Sequence, residues 1–323
     1  MTVETTQAKL ESENTPTPRK RGGRSSREAT LAFWGFVTPA LAGLTIFTLA
    51  PIVWGLLLSF SHAQNTIRIG HFVGLRNYED LLTDPAFLNS LVTVAIFAAF
   101  IVPLTYLVSL GLALAVERVT AGRSFFRTVF FIPSAVSYVV ASLIWKVSLF
   151  NGLSFGFANQ VIGKFGSGPV AWIGATHPPW YWFVLVTVRL WLQVGFFMII
   201  FMAGLQEIPR TVYEAAAVDG AGAWTTFRRI TLPHLRNTSI AVMLLTLIAA
   251  FQAFDEFYNI LGGVGASAGN QVLARPPLIY LYSLALSDQD FGRGTAGAFI
   301  LTALILIVTL VQGKALGFGR SEE

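Results

Sequence analysis

The sequence predicts an all-α membrane protein with six transmembrane helices and a polar cytoplasmic loop between the fourth and fifth. Composition is the first reason. The 323 residues are 54% hydrophobic and 12% charged, with a mean hydropathy of +0.62, whereas a soluble domain carries about 25% charged residues. The second reason is that the apolar residues stand in uninterrupted blocks, and a bilayer core of about 30 Å takes roughly 20 helical residues. The third is that arginine and lysine concentrate in alternate loops. The spans have to be helices, because lipid offers a backbone no hydrogen-bond partners. The chain has no cysteine, so disulfides, thiolate zinc sites and cysteine nucleophiles are excluded.

Residues 1–28 are polar, and "TPTPRKRGGRSSRE" carries Arg19, Lys20, Arg21, Arg24 and Arg27. They cannot bury enough apolar surface to fold alone and read as a flexible tail. Its charge serves either as an orientation signal near anionic lipid or as a partner-binding segment. The run from Leu31 to Phe60 is about twice a signal-peptide h-region and shows no cleavage site, so it reads as the first span. Pro39 and Pro51 predict a bend or break there. The other spans fall at about 88–116, 129–150, 181–206, 238–263 and 295–313. The organisation is a tail at 1–28, the first span and its outer loop at 29–87, a five-helix core at 88–314 and a tail at 315–323.

Orientation follows from the loop cations. With the N-terminus inside, the inner segments hold fifteen Lys and Arg residues against five in the outer ones (Arg68, Arg76, Lys164, Arg275 and Arg293). Lys146 and Arg189 remain inside spans. Both termini are expected in the cytoplasm. Trp172, Trp180, Tyr181 and Trp182 then lie outside, as an interfacial belt would.

The stretch "EAAAVDGAGAWTTFRRITLP", Glu214 to Pro233, interrupts the oily chain on the cytoplasmic side. Pro209 suits the first turn of a helix, and Asp219-Gly220 suits its end, since glycine enters the left-handed conformation without penalty. A second short helix is expected over Ala223 to Ile230, stopping before Pro233 because the residue ahead of a proline resists helical geometry. Re-entry into the membrane is expected at Asn237-Thr238. Ala215, Ala216 and Ala217 leave the first helix with little bulk, open to close approach by another surface, with Glu214 and Asp219 at its edge. Tyr213, Trp224 and Phe227 at the wet end of a bundle suit a protein interface. A loop packed on itself is the alternative.

The elements Glu214-Ala215-Ala216, Asp219-Gly220-Ala221 and Ile230-x-Leu232-Pro233 resemble the EAA loop of binding-protein-dependent ABC importer permeases, with the family spacing throughout. "FVGLRNYEDLLTDPAFLNSL" (72–91) and "FDEFYNILGG" (254–263) resemble the first outer loop and the outer half of the fifth span in the carbohydrate-type members. The resemblance implies a type I ABC importer permease fold in which the loop is a coupling helix docked on a separate ATPase subunit. Tyr213, Glu214, Ala215, Ala216, Ala217, Asp219, Gly220 and Ala221 would form the docking surface, and Ile230, Leu232 and Pro233 would anchor it. No G-x-x-x-x-G-K-[ST] occurs, since Gly313-Lys314 is followed by Ala315. ATP and Mg are therefore expected on a partner, no cofactor in this chain, and no catalytic residue or metal site.

Other chemical signals are weak. Gly265-Ala266-Ser267-Ala268-Gly269 fits G-x-S-x-G but follows a membrane helix rather than a strand. It stands where the carbohydrate-type permeases often show T-G-G-G-P. His62, His71, His177 and His234 have no ligand spacing, and the acceptor pattern Asn237-Thr238-Ser239 lies on the cytoplasmic side. Charges inside spans weigh more, each costing about 2.5–3.5 kcal/mol at a helix centre. Lys146 sits near the outer end of the third span and can snorkel. Arg189 and Asp255 both lie roughly 12 Å inward from the outer face, so Arg189 is expected to pair with Asp255 or Glu256. That pair either fixes two helices or lines the solute path. Trp191, Gln193, Gln252, Phe254, Phe257, Tyr258 and Asn259 lie at the same depth, and aromatic faces with amides suit a polyhydroxylated solute.

The expected function is a multi-pass permease subunit of an ATP-driven importer in a bacterial cytoplasmic membrane. Its solute would be a sugar, oligosaccharide or polyol derivative, and no enzymatic activity is expected in this chain. Six spans are half of a twelve-helix pathway, so a second permease is implied, with a heterodimer favoured and a homodimer open. Two ATPase subunits and an extracytoplasmic solute-binding protein complete the assembly. Membrane lipid surrounds it, and no nucleic acid is involved. The rival is a secondary transporter working without an ATPase, which predicts inverted repeats and broken midplane helices. A membrane enzyme is the other rival, and the chain lacks a catalytic constellation for it.

Overall fold

The computed structural model describes residues 26–262 and 274–317. The Gly265–Gly269 pattern lies outside the described residues. The chain divides into two units at Gly55–Leu56.

The described part of the first unit is helix α1, Glu28–Ser59, which runs on into the second. Pro39 and Pro51 do not break it. A wide π-helical turn at Thr45–Leu49 stands just ahead of Pro51, with the Ala50 amide donating to the Thr45 carbonyl. A widened turn absorbs a residue that can neither donate nor tolerate the carbonyl a turn behind it. Before Gly55 the helix is apolar on every side, with Phe36 86% and Phe47 81% exposed. Such a surface is stable only in apolar surroundings.

The second unit is built on two long helices, α3 (Pro85–Glu117) and α7 (Tyr181–Glu207), packed along each other. Asp84 caps α3, accepting the Ala86 amide at 2.8 Å, with Pro85 in the first turn, the combination that helix starts favour. The short helix α2 (Arg76–Thr83) precedes it. From α2, Asn77 donates to the Ser59 and Ser61 carbonyls at 2.9 and 3.0 Å and fixes the exit of α1. The last helix, α13 (Phe291–Leu316), ends on left-handed Gly317, and Arg236 donates to the Leu316 carbonyl at 3.2 Å.

Two expected spans are not continuous. The third is a pair, α4 (Arg123–Ala135) and α5 (Tyr138–Leu149), meeting at 94°. Pro133 sits in a 3-10 turn, and Val136 and Ser137 are extended. The crossing of α4 over α7 needs Gly195, where any Cβ would collide with the Phe130 carbonyl. The fifth span likewise follows a bent pair, with α9 (Ala223–His234) meeting α10 (Arg236–Phe251) at 68°. It is then interrupted at Gln252–Phe254 before α11 (Asp255–Leu261). Among the described residues four helices are long enough to cross a membrane alone, or six if each bent pair counts once.

Two further differences concern the end remote from Glu214. Of the four residues expected as an interfacial belt, Trp172 and Tyr181 are buried at 9% and 7% exposure and belong to the core, while Trp180 is exposed and Trp182 half-buried. Asn159, in the short helix α6 (Phe157–Gly163), organises that loop: its carbonyl accepts the Val170 amide at 3.0 Å and the Trp172 indole at 2.8 Å. A short apolar helix, α12 (Pro277–Ser287), was not legible as an element. There Tyr280 donates its hydroxyl to Asp84 at 2.5 Å, and Arg293 stands 3.7 Å from the same carboxylate.

Candidate functional site

The Glu214–Pro233 loop forms two helices around one corner. Helix α8, Arg210–Val218, is capped by extended Pro209, so the proline stands one position before the first helical residue. Gly220 has φ +69° and ends α8 in the left-handed region where a Cβ would be strained. The amides of Asp219, Gly220 and Ala221 return to the carbonyls of Ala215, Ala217 and Ala216, closing the corner. Glu214, Ala215, Ala217, Asp219 and Gly220 are exposed, Ala221 is half-buried, and Ala216 is buried at 7%. One face of small and acidic side chains therefore points away from the bundle.

The opposite face is tied down. Tyr213 and Phe227 pack on a core of Phe201, Met202, Leu205 and Leu235. The Tyr213 hydroxyl meets Thr231 Oγ1 at 3.1 Å, across from α8 to α9. Tyr213 thus braces the loop from within, while Trp224 is 70% exposed. The anchors also differ from expectation. Ile230 is half-buried and Leu232 and Pro233 are exposed, whereas Thr231 and Leu235 are buried. Nor does the second helix stop before Pro233. A π-helical turn over Phe227–Thr231 carries it through to His234, and Leu232 stays helical. The wide turn takes up the missing donor, as it does at Pro51. α10 then starts at Arg236, one residue before the expected re-entry.

The second candidate lies far from that loop. Arg189 Nη1 stands 2.9 Å from Glu256 Oε1, with side chains 6% and 1% exposed. Arg189 also donates to the Ala249 carbonyl at the end of α10, and its guanidinium lies 5.1 Å from the Tyr138 ring centre on α5. Glu256, not Asp255, is the partner; Asp255 is half-buried, and its carbonyl accepts the Asn259 amide at 2.7 Å. Lys146 does not snorkel to a surface. It donates to the Asn259 and Gly262 carbonyls, both at 3.1 Å, and so caps the C-terminus of α11, where a cation is favoured.

Gln193 is buried at 9%, while Trp191 is 39% exposed and lies tilted against Trp145, ring centres 5.1 Å apart. Gln252 is exposed at the break. Phe254, Tyr258 and Tyr282 form an aromatic cluster with centroids 5.3–5.7 Å apart. A cavity of about 320 Å³ opens beside it, lined by Tyr258, Arg275, Tyr282 and Ser287 among others. Among the described residues no group of three or more His, Cys, Asp or Glu could hold a metal.

Residues 106–314 match the family model described as "Binding-protein-dependent transport system inner membrane component". The chain is 31% identical over 296 residues to the trehalose/maltose transport system permease protein MalF of Thermococcus litoralis, covering 91% of this chain and 96% of that protein. It is 33% identical over 277 residues to the sn-glycerol-3-phosphate transport system permease protein UgpA of Salmonella typhi, covering 85% and 90%. The fold is similar to a chain from a bacterial ABC transporter involved in the import of alginate. The TM-score is 0.78 at 20% identity, with 91% of this chain and 98% of that one covered.

Proposed function

The chain belongs to the family of binding-protein-dependent transport system inner membrane components and is a membrane-spanning permease of an ABC importer; we propose that its cargo is a sugar, oligosaccharide or polyol derivative. Relatives named for trehalose/maltose and for sn-glycerol-3-phosphate support a polyhydroxylated solute. The aromatic cluster of Phe254, Tyr258 and Tyr282 suits sugar faces, and Gln252, Asn259, Trp191 and Gln193 would contribute further contacts to hydroxyls and rings. A solute would pass beside the Arg189–Glu256 pair, and Asp255 would face it from the same break.

The observation that carries the coupling role is α8 itself. It is a rigid helix with one exposed face of Glu214, Ala215, Ala217 and Asp219, braced on the bundle by Tyr213 and Thr231. A rigid lever of that kind transmits movement of an attached ATPase into α7 and α10. The assembly would hold a second permease, favoured as a different chain, two ATPase subunits carrying ATP and Mg, and an extracytoplasmic binding protein. The chain would sit in the cytoplasmic membrane with both termini and α8 inside, and ATP hydrolysis would belong to the ATPase subunits.

Co-purification tests this. An ATPase should be retained by the wild-type chain and lost on Gly220→Pro, since proline can follow neither the φ of +69° nor the Gly220 amide bond to Ala217 at that corner. Solute uptake into liposomes by the isolated chain without ATP would refute the reading and favour a secondary transporter.

A further inference from the structure

A cavity of about 1040 Å³ lies between the end of α3, the start of α4 and the α8–α9 loop. Its wall carries Arg118, Arg123, Arg127 and Arg210 against the single acid Glu117. Glu117 pairs with Arg123. Among the described residues Arg118, Arg127 and Arg210 have no ion-pair partner, and the Nε atoms of Arg123 and Arg127 are buried without a hydrogen bond. Arg123 and Arg127 are four residues apart on one face of α4, so both guanidiniums address the same space. The rest of the lining is mixed, with Leu114, Leu205, Ile208 and Phe227 beside the polar Gln206, Thr226 and Thr231, and with exposed Trp224.

We propose that this cavity binds a phosphate-bearing anion, held by Arg118, Arg127 and Arg210. Arginine's planar fork matches phosphate oxygens in pairs, and a phosphate presents enough acceptors for several guanidiniums at once. One carboxylate does not. A cavity this large, with Leu114, Leu205, Ile208 and Phe227 in its wall, exceeds what inorganic phosphate needs and suits a headgroup with the first part of its chains. Basic pockets between spans on the cytoplasmic side bind anionic lipid headgroups in this way, and Trp224 stands where an interfacial aromatic would anchor. The lipid source rests on the orientation proposed above; the phosphate chemistry does not. Because the cavity touches α8 through Arg210 and Tyr213, an occupant would stiffen the loop from behind its exposed face.

The test uses the full chain, alone and with its partners. Native mass spectrometry should show phosphatidylglycerol retained over phosphatidylcholine by the wild type. The Arg118→Gln/Arg127→Gln double variant should weaken that preference about tenfold, and Arg118→Lys/Arg127→Lys should keep most of it. In phosphatidylcholine nanodiscs, a rise in melting temperature with inorganic phosphate that needs Arg127 would assign the same chemistry to a soluble source. Unchanged binding of both probes in a folded Gln variant overturns the proposal. So does a Gln variant that holds lipid like the wild type but sheds the ATPase, since the cavity would then be a protein contact. A wild-type chain that retains no ATPase would sink the coupling reading and leave the phosphate result standing.

Discussion

The α8–α9 loop and the α10–α11 break both interrupt a helical run, and they are built on opposite principles. The loop is locally specified. Pro209 caps its first helix, Gly220 ends it, and its outward face is small and exposed. The break is specified from a distance. Arg189 from α7 bonds Glu256 and the end of α10, Tyr138 from α5 lies under the guanidinium, and Lys146 from α5 caps α11. The first can be altered on its exposed side without disturbing the bundle. The second cannot, because a charge left alone at that depth has no water to turn to. The surface proposed to meet the ATPase is thus kept free of the core, while a segment beside the proposed solute path is held by two other helices, α5 and α7.

The largest expected effect follows from removing one member of the buried pair. Glu256→Gln or Arg189→Met should destabilise the chain by about 3 kcal/mol, the scale for breaking a buried ion pair, measured as loss of folded protein in detergent on heating. The double reversal Arg189→Glu/Glu256→Arg should recover much of the transport lost in each single reversal. If it recovers none, the pairing has no part in transport.

Next comes the corner. Gly220→Val forces a branched residue into the left-handed region at a cost of about 1–2 kcal/mol, and ATP-driven uptake should fall with it. Binding of solute measured on the permease itself should stay as it was. A loss of both would mean that the two regions are not separable. Tyr213→Phe removes one hydrogen bond to Thr231 and should cost about 1 kcal/mol, read as a lower melting temperature and weaker ATPase retention. Glu214→Ala should leave stability within about 0.5 kcal/mol and still reduce the amount of ATPase that co-purifies. If it sheds stability in place of ATPase, the exposed face of α8 is structural.

The smallest effect is a pH effect at Asp84, which takes part in neither region's hydrogen bonds. Burial alone would raise the Asp84 carboxyl, but the Tyr280 hydroxyl, the Ala86 amide and Arg293 more than offset it and hold Asp84 below its ordinary value of 3.8. Burial, and then the same hydrogen bond, push Tyr280 up to about 12, so it stays a donor. A carboxyl lowered on folding stabilises above its unfolded pKa, and that contribution fades as pH falls through the folded one. Asp84→Asn should therefore lower stability at neutral pH and flatten the loss seen on acidification below the usual carboxylate range. A wild-type acid limb unchanged by the substitution would remove Asp84 from that role.

How much of this was legible varies with the range of the forces involved. Helix α8 and its Gly220 corner could be read residue by residue, since capping and left-handed geometry depend on neighbours a few positions away. The depth of Arg189 was legible because helix rise is fixed, but the choice of Glu256 over Asp255 was not. Adjacent residues on a helix point about 100° apart, and only packing decides which faces α7. The bends at Val136–Ser137 and Leu235 left weak local signals in Pro133 and Pro233, and similar signals at Pro39 and Pro51 produced no break. The π turns that decide such cases depend on what the rest of the bundle demands.

The sequence by itself determined the apolar spans, the charge asymmetry of the loops and the small-faced helix with its glycine stop, because hydropathy, helix rise and capping act locally. Only the tertiary structure decided that Tyr213 faces inward, that Lys146 caps α11, and that four arginines from three separate segments share one cavity. Those outcomes join residues far apart in the chain. Desolvation of a charge in the interior leaves each of them few partners to choose from, and the partner is whichever group the packing brings within reach.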